Sequence, residues 1–287
     1  MKILLIINPR SGRRKAGTIV ERARQLAATL GHELHVKIIA APGDGHRFAQ
    51  EARQDGSERI ICAGGDGTLN AVASGLIGCS IPLGIVPMGS GNGYVRSLAL
   101  PRVPEKALLH AFEAAPRWMD ICYLNDHPFL GTAGIGFDAQ VAHKFDTSPG
   151  RGLTGYIKVI VREILYAPPM QVEIHVNGEV MNDKLLMLVF CNTREFGNGA
   201  DISPGSRPDD GIAELRLVKK PALLPLIKAF IDIFTHRADH SPYVKNVTTT
   251  KAFVKQQGTW VHLDGEPIEL GQELHFRLEP RRLLVVG

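Results

Sequence analysis

The chain has 287 residues, 44% of them hydrophobic and 22% charged, with a formal net charge of +4. That is the composition of an ordinary globular protein, large enough for two domains or one large one. The basic excess is too weak by itself to imply nucleic acid, and it suits anionic nucleotides or an anionic membrane surface. Cys62, Cys79, Cys122 and Cys191 form no CxxC pair and no zinc spacing; buried thiols in a reducing compartment are expected.

The first apolar run, residues 2–7, reads as a buried parallel strand. It is too short for a signal-peptide core, and Asn8-Pro9-Arg10 ends it without a cleavage site. No run is long enough to span a bilayer. The expectation is a cytoplasmic protein, at most membrane-peripheral.

After the loop Asn8-Pro9-Arg10-Ser11-Gly12-Arg13-Arg14-Lys15, a helix is predicted from Ala16 to Leu30, with Ile19, Ala23, Leu26 and Leu30 on one face and Gly31 as its stop. A strand follows at about 34–40, then a turn at Pro42-Gly43-Asp44-Gly45 and a helix near 46–54. The third strand, 59–63, leads into Gly64-Gly65-Asp66-Gly67-Thr68-Leu69-Asn70 and a helix from Thr68 to Leu76. The fourth strand, 81–86, ends in Pro87-Met88-Gly89-Ser90-Gly91-Asn92-Gly93. A short helix and another at 104–112 complete this half. Alternating strands and helices predict a parallel sheet with helices on both faces. Ligands of such sheets bind outside the carboxyl ends of the strands. Three polar or glycine-rich loops, 8–15, 64–70 and 87–93, fall at those ends.

The middle loop joins a strand to a helix start, an arrangement that presents N–H groups to phosphate. A bare carboxylate there would repel phosphate unless it held a metal ion or engaged the acceptor's proton. Metal-assisted phosphate handling and a glycine turn with Asp66 as a helix cap both fit the local sequence.

Beyond about residue 117 the pattern becomes strand-rich. Hairpins are expected for 118–124 with 129–133 around Asn125-Asp126-His127-Pro128, and for 170–176 with 180 onward around Asn177-Gly178. Further strands are predicted at 185–192, 212–218, 244–255, 259–263 and 273–278, and helices at 153–166 and 222–235. The fold class is therefore α/β plus β: a doubly wound parallel-sheet domain at 1–120, an antiparallel β-sandwich at 121–275, and a C-terminal segment, 276–287, whose return to the first domain composition leaves open.

With these motifs in place, the chain resembles the diacylglycerol kinase catalytic-domain family, which includes sphingosine, ceramide and bacterial lipid kinases. The resemblance runs over nearly the full length. It is carried by Asn8-Pro9-Arg10-Ser11-Gly12, Gly64 to Asn70, Pro87 to Asn92, Asp209-Asp210-Gly211 and Asp264-Gly265-Glu266. Each is weak alone; together, in this order, they are specific.

The resemblance implies a nucleotide domain like that of phosphofructokinases and NAD kinases, a β-sandwich, and ATP and lipid meeting in a cleft. It implies that Asn8, Pro9, Arg10, Ser11 and Gly12 line the nucleotide phosphates, joined by Gly64, Gly65, Asp66, Gly67, Thr68, Leu69 and Asn70. Asp66 would stand near the reacting phosphate and its Mg2+, and Ser90 would contact the nucleotide. Glu266 would accept the proton of the lipid hydroxyl. Asp210 would ligate a structural Mg2+, with Arg207 and Ile212 giving backbone carbonyls. Asp66 and Glu266 are thus the catalytic pair. A carboxylate base suits a poorly nucleophilic alcohol. Taken alone, Asp264-Gly265-Glu266 and Asp209-Asp210-Gly211 both read as turns.

Two departures from the family stand out. Gly93-Tyr94 occupies the place of an acidic residue after the loop asparagine, nearer to the sphingosine and ceramide kinase version. Ala40-Ala41 replaces a hydroxyl residue after the second strand. The leading expectation is an ATP- and Mg2+-dependent kinase of a diacylglycerol, sphingoid base or related lipid. Its expected partners are that lipid and no nucleic acid, with peripheral membrane contact and a homodimer left open. An NAD kinase and a non-catalytic nucleotide-binding lipid sensor are the alternatives. Asp138 reads either as a head-group contact or as a helix cap. His262 reads as a residue near Glu266 that could face the cleft, and His143, His236 and His240 as surface or packing residues. The apolar stretch 222–234 reads as core packing before acyl-chain seating.

Overall fold

The computed structural model describes residues 1–12, 16–137, 139–140, 164, 167–197, 199–222, 225, 232, 235 and 237–287. The chain divides into two compact units, Met1–Asp120 with Arg281–Gly287, and Ile121–Pro280.

In the first unit, strands β1 (Lys2–Ile7), β3 (Arg59–Gly64) and β4 (Leu83–Pro87) are continuous apolar runs, buried on both faces as interior strands of a parallel sheet must be. Strand β2 (Glu33–Ile38) is half-exposed and lies at the edge. The order is β2-β1-β3-β4, all parallel, and the end of the long C-terminal strand β18 (Glu273–Val286) adds beside β4 through Val285 and Leu83. Helices α1 (Ala16–Leu30) and α5 (Pro104–Glu113) cover one face. There Ile19, Ala23, Ala27, Leu108 and Phe112 pack on Ile3, Leu5, Ile61 and Val86. Helix α2 (Asp44–Ala52) packs against α3 (Asp66–Ser74) and β1. A short helix, α4 (Gly93–Ser97), follows β4. Leu26 and Leu30 are only partly buried against the α1 face, and Ala27 takes the central place instead.

Helix α2 begins two residues before its predicted start because Asp44 organises the turn. Its Oδ2 accepts the N–H groups of Ala40 and Ala41 at 3.0 and 2.9 Å, and Arg47 donates to Oδ1 at 2.7 Å. The Arg47 hydrogen bond, then the two backbone donors, lower its pKa to about 2. A depressed carboxylate pKa contributes stability that is complete above the unfolded-state value and lost as pH falls through the folded value. Thermal melts between about pH 4 and pH 2 should therefore show a steeper acid loss in the wild type than in Asp44→Asn.

Arg59 is buried at the start of β3 and caps the far end of α5. Its guanidinium donates to the carbonyls of Ala111 and Phe112 at 2.9 and 2.6 Å, and to Ala114 at 3.3 Å. Helix-end carbonyls have no intrahelical donors, and a cation is favoured there. Arg59→Met should cost about 2–3 kcal/mol in urea unfolding, because it strands buried acceptors while keeping most of the packing. An equal cost for Arg59→Lys would assign the effect to fork geometry over charge.

The second unit is a sandwich. One sheet runs β18-β15-β8-β9, from β8 (Met170–Val176), β9 (Glu179–Leu185) and β15 (Lys251–Gln256), with the hairpin of β5 (Pro116–Leu124) and β6 (His127–Phe129) joined at β18. The other runs β14-β13-β10-β7-β16-β17. Its strands are β7 (Thr132–Gly136), β10 (Met187–Cys191), β13 (Ala213–Val218), β14 (Val244–Thr249), β16 (Trp260–Leu263) and β17 (Glu266–Glu269). A small ribbon, β11 (Glu195–Gly197) with β12 (Ala200–Asp201), stands apart. Alternate residues meet in the core: Val172, Ile174, Val254, Leu274 and Phe276 face Ile135, Leu188, Phe190, Leu215 and Val261. Phe190 stacks on Phe276 with ring centroids 4.9 Å apart.

Two predicted strands are each two. The run 129–133 ends as β6 at Phe129 and resumes as β7 at Thr132 in the other sheet, and 244–255 breaks at Thr250, again between sheets. A sandwich needs such corners, and alternation alone does not mark them. The expected helix at 153–166, most of that at 222–235, and Asp138, His143 and His236 lie outside the described residues. Among the described residues, no helix is long and apolar enough to cross a membrane.

Candidate functional site

The three glycine-rich loops start from neighbouring strand ends. Ile7 is in register with Ala63, and Gly64 with Pro87, so the loops leave one edge of the sheet together. They are also bonded to one another. The Asn8 N–H donates to Ala63 O at 2.9 Å, and Met88 N–H to Gly64 O at 2.7 Å. Asn8 Nδ2 donates to Thr68 Oγ1 at 3.0 Å, while Asn8 Oδ1 accepts the Arg10 N–H at 3.0 Å. Asn8 and buried Thr68 thus fix two loops to each other. Pro9, Arg10, Gly67 and Ser90 are exposed; Ser11, Gly12, Gly65, Leu69 and Asn70 are buried or half-buried around them.

Glycine is required here by space. A Cβ on Gly64 would lie 2.4 Å from Thr68 Cβ, and one on Gly89 would lie 2.8 Å from Gly65 Cα. Gly12 has φ +77°, and a Cβ there would lie 3.0 Å from Met88 Cε. At Gly65 and Gly89 two backbones therefore lie too close for a side chain between them, and close backbone approach is how glycine loops bring N–H groups up to a phosphate.

Asp66 opens α3 and turns toward the third loop. Its Oδ2 accepts the N–H of Asn92 at 2.8 Å, and the N–H of Gly93 also donates to it. Burial raises its pKa, opposed by these donors and by its own N–H. Asn92 holds φ +50° and ties its side chain to Gly89 O at 2.8 Å. The sequence alone assigns Asn92 no role. A left-handed asparagine that turns its N–H onto a carboxylate 26 positions away is visible only once the loops meet.

Glu266 opens β17, the edge strand, opposite Leu263. Asp264 and Gly265 form the two-residue turn between them, at φ +50° and +88°. The turn reading of this motif is thus correct, and Glu266 is the exposed residue that the turn presents. His262 is buried, at 2% exposure, with its ring edge-on to Phe196.

Arg207, Asp210 and Ile212 lie in the loop before β13. Asp210 is exposed, its Oδ1 accepts the Ile212 N–H at 3.2 Å, and Arg207 pairs with Asp209 at 3.1 Å. Among the described residues, no group of three or more His, Cys, Asp or Glu side chains is placed to hold a metal. One carboxylate plus backbone carbonyls is nevertheless a hard oxygen set of the kind magnesium takes. β13 and β17 are four strand spacings apart in their sheet, about 19 Å at ~4.8 Å each. An ion held at Asp210 would therefore be remote from Glu266.

Family comparison agrees with this architecture. Residues 2–124 match the diacylglycerol kinase catalytic domain, and residues 131–287 match the YegS C-terminal NAD kinase beta sandwich-like domain. These matches define an enzyme of the kinase class. Relatives include a "Probable lipid kinase YegS-like" of Chromohalobacter salexigens, 32% identical over 83% of this chain and 78% of its own. Another of the same description, from Citrobacter koseri, is 31% identical over 88% and 86%. A crystal structure of a diacylglycerol kinase from Bacillus anthracis str. Sterne superposes with a TM-score of 0.81 at 26% identity, covering 99% of this chain and 96% of that one. The chain belongs to the diacylglycerol kinase catalytic-domain family, among its YegS-like lipid kinases.

Proposed function

We propose that the protein transfers the γ-phosphoryl group of ATP to the hydroxyl of a lipid, with Mg2+ as the accompanying ion. The observation that carries this reading is the bonded set of three loops at one strand edge, where Gly64 and Gly89 leave no room for a Cβ. Asn8 to Gly12, Gly64 to Asn70 and Ser90 would bind and orient the nucleotide. Burial raises the pKa of Asp66, and a cation beside it would favour its ionised form. Mg2+, when bound, supplies charge neutralisation at the phosphates. Glu266 would take the hydroxyl proton, and Asp210 with the carbonyls of Arg207 and Ile212 would hold a second, structural ion. The mild positive charge suits an acceptor presented at an anionic membrane surface.

The test is γ-labelled ATP with a total lipid extract in mixed micelles, with and without Mg2+, and with NAD in a parallel reaction. A labelled lipid that fails to form without Mg2+ supports the reading. Labelled NADP with no lipid product would replace it with the NAD kinase reading, which the sandwich description makes the natural competitor.

A further inference from the structure

We infer that Asp264 is a positioning residue that fixes Glu266, acting through the corner at residues 130–132; the inference rests on the reading of Glu266 as proton acceptor. A two-residue turn needs only backbones that tolerate positive φ, and Asn-Gly would serve as well as Asp-Gly. The Asp264 carboxylate does something else. It reaches to a segment 133 positions earlier, where Oδ1 accepts the N–H groups of Gly131 and Thr132 at 2.7 and 2.9 Å and Oδ2 accepts Leu130 N–H at 2.8 Å. Asp264 N–H returns a bond to Thr132 O at 2.7 Å. Three successive N–H groups around one anion form a nest. Here the nest sits where the chain leaves β6 for β7, and its anion is a side chain of the protein itself.

The corner is braced from the other side. Asn192 Nδ2 donates to Leu130 O at 2.7 Å, and its N–H to Gly131 O at 2.8 Å. Gly131 has no room for a side chain: a Cβ would lie 2.9 Å from Asp264 Oδ1 and 3.0 Å from Thr193 Oγ1. The second turn residue is held as well, since Gly265 N–H donates to His262 Nδ1 at 3.3 Å. Both residues that precede Glu266 are therefore tied to buried structure.

Glu266 needs this. It begins a strand of four residues at the edge of its sheet, paired among the described residues to β16 alone. Short edge elements are where local opening is cheapest. A catalytic group must be held to about 0.5 Å, and an error near 1 Å costs about a hundredfold in rate. The nest supplies the constraint the edge strand lacks.

The test uses the full chain, γ-labelled ATP, and mixed micelles of dioleoylglycerol, sphingosine or total lipid extract. Asp264→Asn keeps the size and the turn but sets an amide N–H₂ against at least one N–H of the nest. It should lower kcat about 30- to 100-fold and leave the KM for ATP within about twofold. Gly131→Ala, which pushes on the same carboxylate from the corner, should do likewise. The double variant should lose little more than either single one, because both act through one contact. Hydrogen exchange of the peptide spanning residues 260–270 should quicken in both, whether or not the micelles contain the right acceptor. Unchanged exchange overturns the inference. So does a kcat per folded molecule that stays at the wild-type value while Tm falls, which is the result of a merely structural role. Glu266→Gln, run alongside, separates the two readings. If it retains activity, the assignment of Glu266 fails; if it is inactive while Asp264→Asn is not, only the inference fails.

Discussion

Asp66→Asn should abolish about 99% or more of phosphoryl transfer and leave the protein as stable as the wild type, or raise its Tm by a few degrees. The two halves of that result have different causes. Asp66 is half-buried, and the loss of hydration outweighs the N–H donors of Asn92 and Gly93, so its charged form is disfavoured. An amide oxygen can still accept the Asn92 N–H now bonded at 2.8 Å, without a charge to desolvate. The sign follows from linkage: a carboxylate whose folded pKa is raised costs stability as pH rises through that value. The wild type should therefore lose stability across that window, and Asp66→Asn should not. Asp66→Ala should behave differently. It leaves the donors of the third loop without an acceptor, at a cost of about 1–2 kcal/mol. Thermal melts from about pH 4 to pH 8, paired with labelled-ATP assays, check all three. An Asn variant with wild-type turnover would remove Asp66 from the chemistry. An Asn variant as unstable as Ala would show that the carboxylate's charge, and not its oxygen, holds the loop.

That contrast bears on what a sequence can disclose. The parallel half was legible because its signals are local: unbroken apolar runs such as Ile3 to Ile7, and the stop of α1 at Gly31, which adopts φ +67°. The hairpin at Asn177-Gly178 was legible for the same reason, and its φ values of +52° and +81° are those the dipeptide favours. The corners at 130–131 and Thr250 were not. At both the pairing partner changes, and nothing in either segment states which sheet it joins.

The candidate site divides in the same way. Its glycines and carboxylates stand out as residue types, but their bonds do not. Asp66 reads as a phosphate-side acid in the sequence, and in the fold it also holds Asn92. Asp264 reads as half of a turn, and in the fold it serves a nest at Leu130 to Thr132. Sequence separation hides such contacts, because no spacing rule links 264 to 130. His262 is a smaller case. Proximity to Glu266 in the sequence gives His262 no definite role, and in the fold it is 2% exposed with its Nδ1 accepting the Gly265 N–H.

Gly89→Ala carries the other large expected effect, because it tests the loop edge without touching any charged group. Gly89 does not have a positive φ, so alanine would meet no backbone strain there, and space alone decides. The new Cβ would lie 2.8 Å from Gly65 Cα and 3.0 Å from Asn92 Oδ1. The first neighbour is backbone and cannot rotate away. Restoring ordinary contact requires the second and third loops to part by more than about half an ångström. That displacement falls directly on the Asn92-to-Asp66 bond and on the Met88-to-Gly64 bond, at 2.8 and 2.7 Å. Overpacking of this kind costs about 1–3 kcal/mol of stability, and misplaced phosphate contacts should lower kcat/KM for ATP about a hundredfold. Gly258→Ala, whose Cβ would meet only Gln256 Oε1 at 3.8 Å, is the control for a generic glycine effect. In the wild type, ATP should raise Tm by mass action, and in Gly89→Ala that shift should be lost at the same nucleotide concentration. Full protection by ATP in Gly89→Ala, with unchanged turnover, would mean that the nucleotide does not depend on the close approach of these loops. The phosphate site would then have to be sought elsewhere in the first unit.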